Sequence, residues 1–306
     1  MLKDKELRTR VITAAIYVAV MIAFIVPGLW VPFLTVMLYS VVTFITAFEK
    51  SKAVNLRIGD VSILPVAVVS VVSGLLGLLG ILEGTFLRGL PSIVDASVNT
   101  IVAPRIIGYF AAISLLILPL ITLFRMWRRG ADIYPTIVAE TKIVISSSFP
   151  LASVIALLYG VKCGWHWFSL AVLTTWISDT AAYFVGKYFG RMKFSPVLSP
   201  NKTWEGTIGG VAGTMILYMI YFPLVIGKRM GYTTGASFAF AIIAAVTMSL
   251  IATLGDIKSS ALKRWCGIKD FGSLLPGHGG VSDRFDSLST ALPAMLLLAI
   301  LAQSLV

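Results

Sequence analysis

Residues 11–48 read VITAAIYVAVMIAFIVPGLWVPFLTVMLYSVVTFITAF and contain no charged side chain. Pro27-Gly28 divides the stretch into two apolar runs, near 11–27 and 29–48. Each approaches the roughly 20 apolar residues that a helix needs to cross a bilayer. A proline followed by glycine is strong turn punctuation, so the two runs form a helical hairpin. The basic start (Lys3, Lys5, Arg8, Arg10) followed by an apolar run has the outline of a signal peptide. No small-residue cleavage site follows it, and the run is read as an uncleaved first helix.

The pattern recurs along the chain. Further apolar segments lie near 61–83, 105–124, 143–160, 165–189, 205–227, 236–255 and 287–305. The third carries Gly74, Gly77 and Gly80, small residues that let a neighbouring helix approach closely. The fifth is drawn from 143 because 136–148 holds Glu140, Lys142 and three serines. The stretch 84–104 shows no recognisable chemistry. Of the 306 residues, 58% are hydrophobic and 13% charged, against about 45–50% and about 25% in soluble domains. Mean hydropathy is +0.92. These values exclude a disordered chain, a collagen and a disulfide scaffold. The expected fold is an all-α polytopic membrane protein, a single integral domain over 1–306 with about nine transmembrane helices. Cys163 and Cys266 fall in different loops without metal-ligand spacing.

The net charge of +11 would suggest nucleic acid in a soluble protein. Here its distribution gives another account. With the N-terminus inside, nearly all Lys and Arg fall in inside segments; only Arg88, Arg105, Lys162, Lys228 and Arg229 lie outside, and Lys142 within a segment. Lys and Arg collect in cytoplasmic loops of membrane proteins. The expected orientation is N-terminus in and C-terminus out, with no nucleic-acid partner.

Six of the 14 acidic residues, Asp179, Glu205, Asp256, Asp270, Asp283 and Asp286, gather in or beside two inside loops. Asp179 lies within an apolar run and Asp256 ends another, and a carboxylate at membrane depth is a functional hypothesis by default. The first loop is basic, with Lys187, Arg191, Lys193 and Lys202. It leads into Gly206, Gly209, Gly210 and Gly213, which suit either close helix packing or a phosphate held by backbone amides. In the second loop, a helix from Val281 onward would put Asp283 and Asp286 on one face. An all-oxygen donor set, with no thiolate and no paired histidine, suits Mg²⁺ or Mn²⁺ better than zinc. His278 alone fits a structural role, and Gly279-Gly280 marks a backbone that must approach something closely. Acids ringed by Lys and Arg at a membrane surface suit a polyphosphate. No common nucleotide or hydrolase motif is present.

Residues 260–286, SALKRWCGIKDFGSLLPGHGGVSDRFD, closely resemble the signature of the phosphatidate cytidylyltransferase (CDP-diglyceride synthase) family. DTAAYFVG at 179–186, SPNKTWEG at 199–206 and LRTRVITA at 7–14 also look like family segments. The resemblance is strong over about 165–306, the expected catalytic half, and weak across 50–160, where only the helical layout agrees; 1–164 is the expected helical scaffold. It implies transfer of CMP from CTP to phosphatidate, giving CDP-diacylglycerol and pyrophosphate, with Mg²⁺ and room for a second cation. The signature supports membership in the site, with Asp256, Lys263, Arg264, His278, Asp283 and Asp286 as the expected catalytic set; our own reading of the roles makes Asp256, Asp283 and Asp286 metal ligands, with Asp179 as a further ligand or supporting partner. Lys202, Lys263, Arg264 and Arg284 would hold phosphate. Ser260, Lys269, His278, Gly279 and Gly280 complete the implied site.

The partners implied are CTP, phosphatidate and membrane lipid, with room for a homodimer. The location implied is a bacterial cytoplasmic membrane with the active site on its cytoplasmic side. Three other readings stand beside this one, of which a non-catalytic membrane scaffold is disfavoured by the six intact acids and the His278-Gly279-Gly280 turn. A CTP-dependent enzyme acting on an isoprenoid lipid phosphate would share the nucleotide and metal residues. An ion-coupled transporter would also place Asp179 and Asp256 at membrane depth, but the internal repeats common in such folds are not found.

Overall fold

A computed structural model of the chain describes residues 2–79 and 102–305. Nine helices of 13 residues or more dominate it. They are α1 (Leu2–Ile25), α2 (Pro32–Ile58), α3 (Ile63–Leu75), α4 (Val102–Arg129), α5 (Tyr134–Gly160), α6 (Gly164–Phe189), α7 (Trp204–Tyr221), α8 (Thr234–Trp265) and α9 (Asp286–Ser304). Helix α7 continues through a π-helical stretch at Phe222–Gly227 into Lys228–Met230. Among the described residues, seven helices are long and apolar enough to cross a membrane; α1 and α3 contribute the shorter apolar helices Ala15–Ile25 and Ile63–Leu78. Among the described residues, each apolar segment expected from the sequence overlaps one of these helices, seven of which are of spanning length. Residues 80–101, which hold Gly80 and most of the 84–104 stretch, lie outside the described residues.

The turn at Pro27-Gly28 is a 3-10 turn, Pro27–Leu29. Helix α5 starts earlier than the sequence suggests, at Tyr134. Its Glu140 is buried, ion-paired with Arg125 of α4, and accepts the Ser62 N–H at 2.6 Å. These partners offset the burial of a charge in 136–148, the stretch that looks unlike a buried helix in the sequence.

The chain folds into two compact units. One comprises Met1–Leu79, Ile107–Ile155 and Lys263–Phe285; the other comprises Gly80–Ile106, Ala156–Leu262 and Asp286–Val306. In the first unit, α2 packs along α3, and Gly74 meets Leu151 so closely that an added Cβ would stand 2.8 Å from its Cδ2. Phe110 stacks on Phe149 at 5.7 Å. In the second unit, α6 packs on α7 and α9, around fully buried Trp167, Phe168, Tyr218 and Phe222. Outward-facing Leu116, Leu120 and Leu123 on α4 form the kind of apolar surface that lipid covers.

The all-α expectation needs one amendment. A short antiparallel hairpin, β1 (Lys193–Ser195) and β2 (Ser199–Thr203), joins α6 to α7.

Candidate functional site

The hairpin is fixed where it enters α7. Thr203 is the N-cap, its Oγ1 accepting the Gly206 N–H at 3.1 Å. Trp204 N–H donates to the Met192 carbonyl, and Glu205 accepts the Met192 N–H at 3.1 Å. Phe194 and Trp204 meet edge to face at 4.4 Å. Such caps satisfy helix-end amides that would otherwise be left without partners. They also hold Lys202, the next residue back on β2, in a fixed place. Its Nζ lies 2.7 Å from Asp256 Oδ2 on α8. Asp179, on α6, lies within electrostatic reach of both Lys202 and Asp256. Ser178 beside it hydrogen-bonds Ser249 of α8 at 2.8 Å. Gly255, next to Asp256, faces the start of α9, where an added Cβ would stand 3.2 Å from the Asp286 carbonyl oxygen.

The glycines that open α7 serve packing. An added Cβ would stand 2.8 Å from the Ala182 oxygen at Gly206, 2.5 Å from Val185 Cβ at Gly209, and 2.8 Å from Ala181 Cβ at Gly213. At Gly210 it would stand 3.0 Å from the Ser178 oxygen. All four contacts are to α6. They let two backbones approach closely and lock the helix carrying Asp179 to the helix that follows Lys202. Of the two readings open in the sequence, helix packing is the one found.

The second loop is built separately, within the first unit. Helix α8 ends with Gly267 at φ +73°, its N–H bonded to the Arg264 carbonyl and the Ile268 N–H to the Lys263 carbonyl. A left-handed residue at this point is a common helix stop that glycine adopts without a Cβ penalty. A tight turn follows, with Leu275 N–H bonded to the Gly279 carbonyl and His278 N–H to the Leu275 carbonyl. Arg284 closes it with Nε and Nη2 on the His278 carbonyl oxygen at 3.1 and 2.6 Å. His278 Nδ1 is buried and has no partner among the described residues.

Asp283 is the hub of this loop. Its side chain is 3% exposed, and Oδ1 receives Lys263 Nζ at 2.8 Å. Oδ2 accepts the N–H groups of Phe271 at 2.9 Å and Gly280 at 3.0 Å. Lys263 Nζ also lies over the Phe271 ring, 5.5 Å from its centroid. The expectation that Asp283 and Asp286 share a helical face is not met. Residues 281–285 form turns, and α9 begins only at Asp286. The physical reason is that Asp283 spends Oδ1 on Lys263 and Oδ2 on two loop amides, leaving neither for a helix start. Asp286 takes that helix-start place and accepts the Ser287 N–H at 2.8 Å.

The sequence profile of the Cytidylyltransferase family matches residues 8–302. The chain belongs to this family. Two relatives illustrate the likeness. A protein named phosphatidate cytidylyltransferase from Staphylococcus aureus strain COL is 41% identical over 142 residues, 45% of this chain and 50% of the relative. One of the same name from Haemophilus influenzae is 40% identical over 121 residues, 40% of this chain and 41% of the relative. The chain thus spans about half the length of the curated relatives it matches.

The structure groups the residues named from the sequence into two sets, one in each unit. Asp179, Lys202, Asp256 and Asp286 belong to the second unit, and Lys263, Arg264, Lys269, His278, Gly279, Gly280, Asp283 and Arg284 to the first. Ser260 is half-buried on α8, while Arg264 and Lys269 are exposed. Among the described residues, no three His, Cys, Asp or Glu side chains are grouped so as to hold a metal ion. The donor chemistry nevertheless fits a hard cation. Asp256 and Asp283 are each already matched to a positive charge, an ammonium, and all four aspartates offer only oxygen.

One residue of this region has no counterpart in the sequence reading. Glu49, on α2, is 6% exposed. Its oxygens accept the N–H groups of Val281 at 3.1 Å and Ser282 at 2.7 Å. Gly280 abuts it: an added Cβ would stand 2.6 Å from Glu49 Oε2. The close approach signalled by Gly279-Gly280 is thus an approach to a buried carboxylate. Glu49 stands just past the apolar run 29–48 and beside Lys50 and Lys52, where an acid looks like one of an ordinary cluster of helix-end charges.

Proposed function

We propose that the chain is a phosphatidate cytidylyltransferase that transfers CMP from CTP to phosphatidate, releasing CDP-diacylglycerol and pyrophosphate. The observation that carries this reading is the Lys263–Asp283 pair held by loop amides inside the family signature. The reading is supported by the family match and by the names of the two relatives.

A phosphate oxygen of the lipid attacks the α-phosphorus of CTP, and the bond to the β-phosphate oxygen breaks as pyrophosphate leaves. Such a transfer needs alignment and charge neutralisation more than a covalent protein intermediate. Lys202, Lys263, Arg264 and Arg284 supply positive charge for the phosphate oxygens. The hairpin orients Lys202, and the loop amides orient Asp283 against Lys263. Asp179, Asp256, Asp283 and Asp286 would hold Mg²⁺, which supplies further positive charge to phosphate oxygens when bound. His278, Gly279, Gly280, Ser260 and Lys269 shape the substrate side of the loop.

The bias of Lys and Arg favours the N-terminus in, the C-terminus out and the site at the cytoplasmic face of a bacterial inner membrane. There the diacylglycerol tails stay in lipid while CTP arrives from water. The test is purified protein with radiolabelled CTP and a panel of phosphatidate and isoprenoid lipid phosphates. Labelled CDP-lipid is expected with phosphatidate alone, in the presence of Mg²⁺. Product only with the isoprenoid phosphate would replace the reading.

A further inference from the structure

Glu49 lies far from the signature in sequence, yet its two oxygens take two successive amides of the signature loop, Val281 at 3.1 Å and Ser282 at 2.7 Å. The next residue is Asp283, whose Oδ2 takes the amides on the other side, Phe271 and Gly280. Four backbone N–H groups of one loop are thus shared between two carboxylates. The fit around Glu49 is closed by glycines. An added Cβ at Gly272 would stand 2.5 Å from Glu49 Oε1, and one at Gly280 2.6 Å from Oε2. Two glycines at contact distance leave no room for a side chain between the loop and this carboxylate. A carboxylate accepting backbone amides in a buried place makes stronger, better-directed bonds than a neutral acceptor. Phe285, just beyond, is held edge to face by Tyr17 of α1 at 6.1 Å and Tyr39 of α2 at 6.0 Å, so the helix that carries Glu49 also anchors the far end of the turn.

We infer that Glu49 is a positioning residue of the site: it clamps the amides of Val281 and Ser282, and thereby sets where Asp283 and Arg284 stand. It touches no substrate in this role. The inference rests on the reading of residues 260–286 as the reactive loop, and its consequences for the loop stand apart from the identity of the substrate.

The test is Glu49→Gln in the full-length protein, purified in detergent. Glutamine keeps the volume but replaces one acceptor by an NH₂ donor, which opposes one of the two amides. Hydrogen exchange followed by mass spectrometry should show faster exchange in peptides covering 277–285, with helices outside the loop exchanging as in wild type. In parallel, kcat with CTP and phosphatidate should fall roughly tenfold or more, with KM for CTP within about threefold. Gly280→Ala, which displaces the carboxylate from the loop side, should give the same exchange signature. Unchanged exchange over 277–285 in Glu49→Gln would overturn the inference. So would loss of protection across every helix, which marks a general packing role. A wild type inactive on phosphatidate would overturn the proposed reaction alone, since the exchange result does not depend on it.

Discussion

Lys202 Nζ and Asp256 Oδ2 stand 2.7 Å apart, which places a residue of a surface hairpin against a carboxylate on a helix long enough to cross the membrane. Both side chains are partly exposed, at 22% and 28%, so neither partner is sealed from an incoming phosphate. Lys202→Ala removes a cation from the proposed phosphate path. Losing a hydrogen bond to a charged group typically costs about 1.5–3 kcal/mol, roughly 10–150-fold in rate at about 1.4 kcal/mol per decade. A fall in kcat/KM for CTP of that order is expected, with acyl-chain preference unchanged. A change below about threefold would leave Lys202 as an anchor for the hairpin.

Asp283 carries a structural load that Asp256 does not. It accepts three bonds in a buried place, so Asp283→Asn should lose both activity and stability. Breaking a buried ion pair from one side typically costs about 3–5 kcal/mol. The midpoint of thermal unfolding in detergent should therefore fall clearly for Asp283→Asn and for Lys263→Ala. Asp256→Asn should leave the midpoint near wild type while abolishing CDP-lipid formation. Asp256 is thus the cleaner test of metal binding. Mg²⁺ chelation should silence the wild type reversibly, and turnover by Asp256→Asn at modest Mg²⁺ would remove Asp256 from the metal site.

The seam between α6 and α7 separates packing from phosphate binding. Gly209→Ala would put a methyl group 2.5 Å from Val185 Cβ. Overpacking of this kind costs about 1–3 kcal/mol. The expected result is a lower unfolding midpoint with KM for CTP unchanged. A raised KM at wild-type stability would return these glycines to the phosphate site.

The helices were legible because lipid imposes a simple rule: long apolar runs with paired or absent charges. The rule also marks what was hard to read. Glu140 and Glu49 lie just outside the apolar segments drawn from the sequence yet are buried in helices, each with partners from elsewhere in the chain: Arg125 and the Ser62 amide for one, the Val281 and Ser282 amides for the other. No local pattern encodes such a partner. The hairpin at 193–203 was hidden for a similar reason. It is short, polar and rich in Lys, Ser and Pro, and its order comes from Thr203 and Glu205 at the head of α7. A shared face for Asp283 and Asp286 required a helix from Val281 onward, but the Gly280 amide is claimed by Asp283 and the helix starts only at Asp286.

Topology can be tested with the two cysteines, if their surroundings are respected. Cys163 sits at the turn between α5 and α6 and is half-buried, whereas Cys266 is buried after the end of α8. Burial pushes the Cys266 thiol above its ordinary range, with Arg57 pulling weakly the other way. The thiolate is the reactive form, so at pH 8 Cys266 should alkylate more slowly than a free thiol, and its rate should keep rising at pH values where a free thiol has levelled off. A slow Cys266 would therefore not mean that it faces the wrong side. Lys269 is exposed in the same loop, and Lys269→Cys in a Cys163→Ser, Cys266→Ser background gives a reporter free of that handicap. With an impermeant maleimide and sealed vesicles of known orientation, Lys269→Cys should react only from the cytoplasmic side. Cys163, alone in a Cys266→Ser background, should react only from the other side. Both reacting from one side would break the proposed N-in, C-out arrangement and the cytoplasmic placement of the loop, while leaving the family membership and the loop geometry untouched.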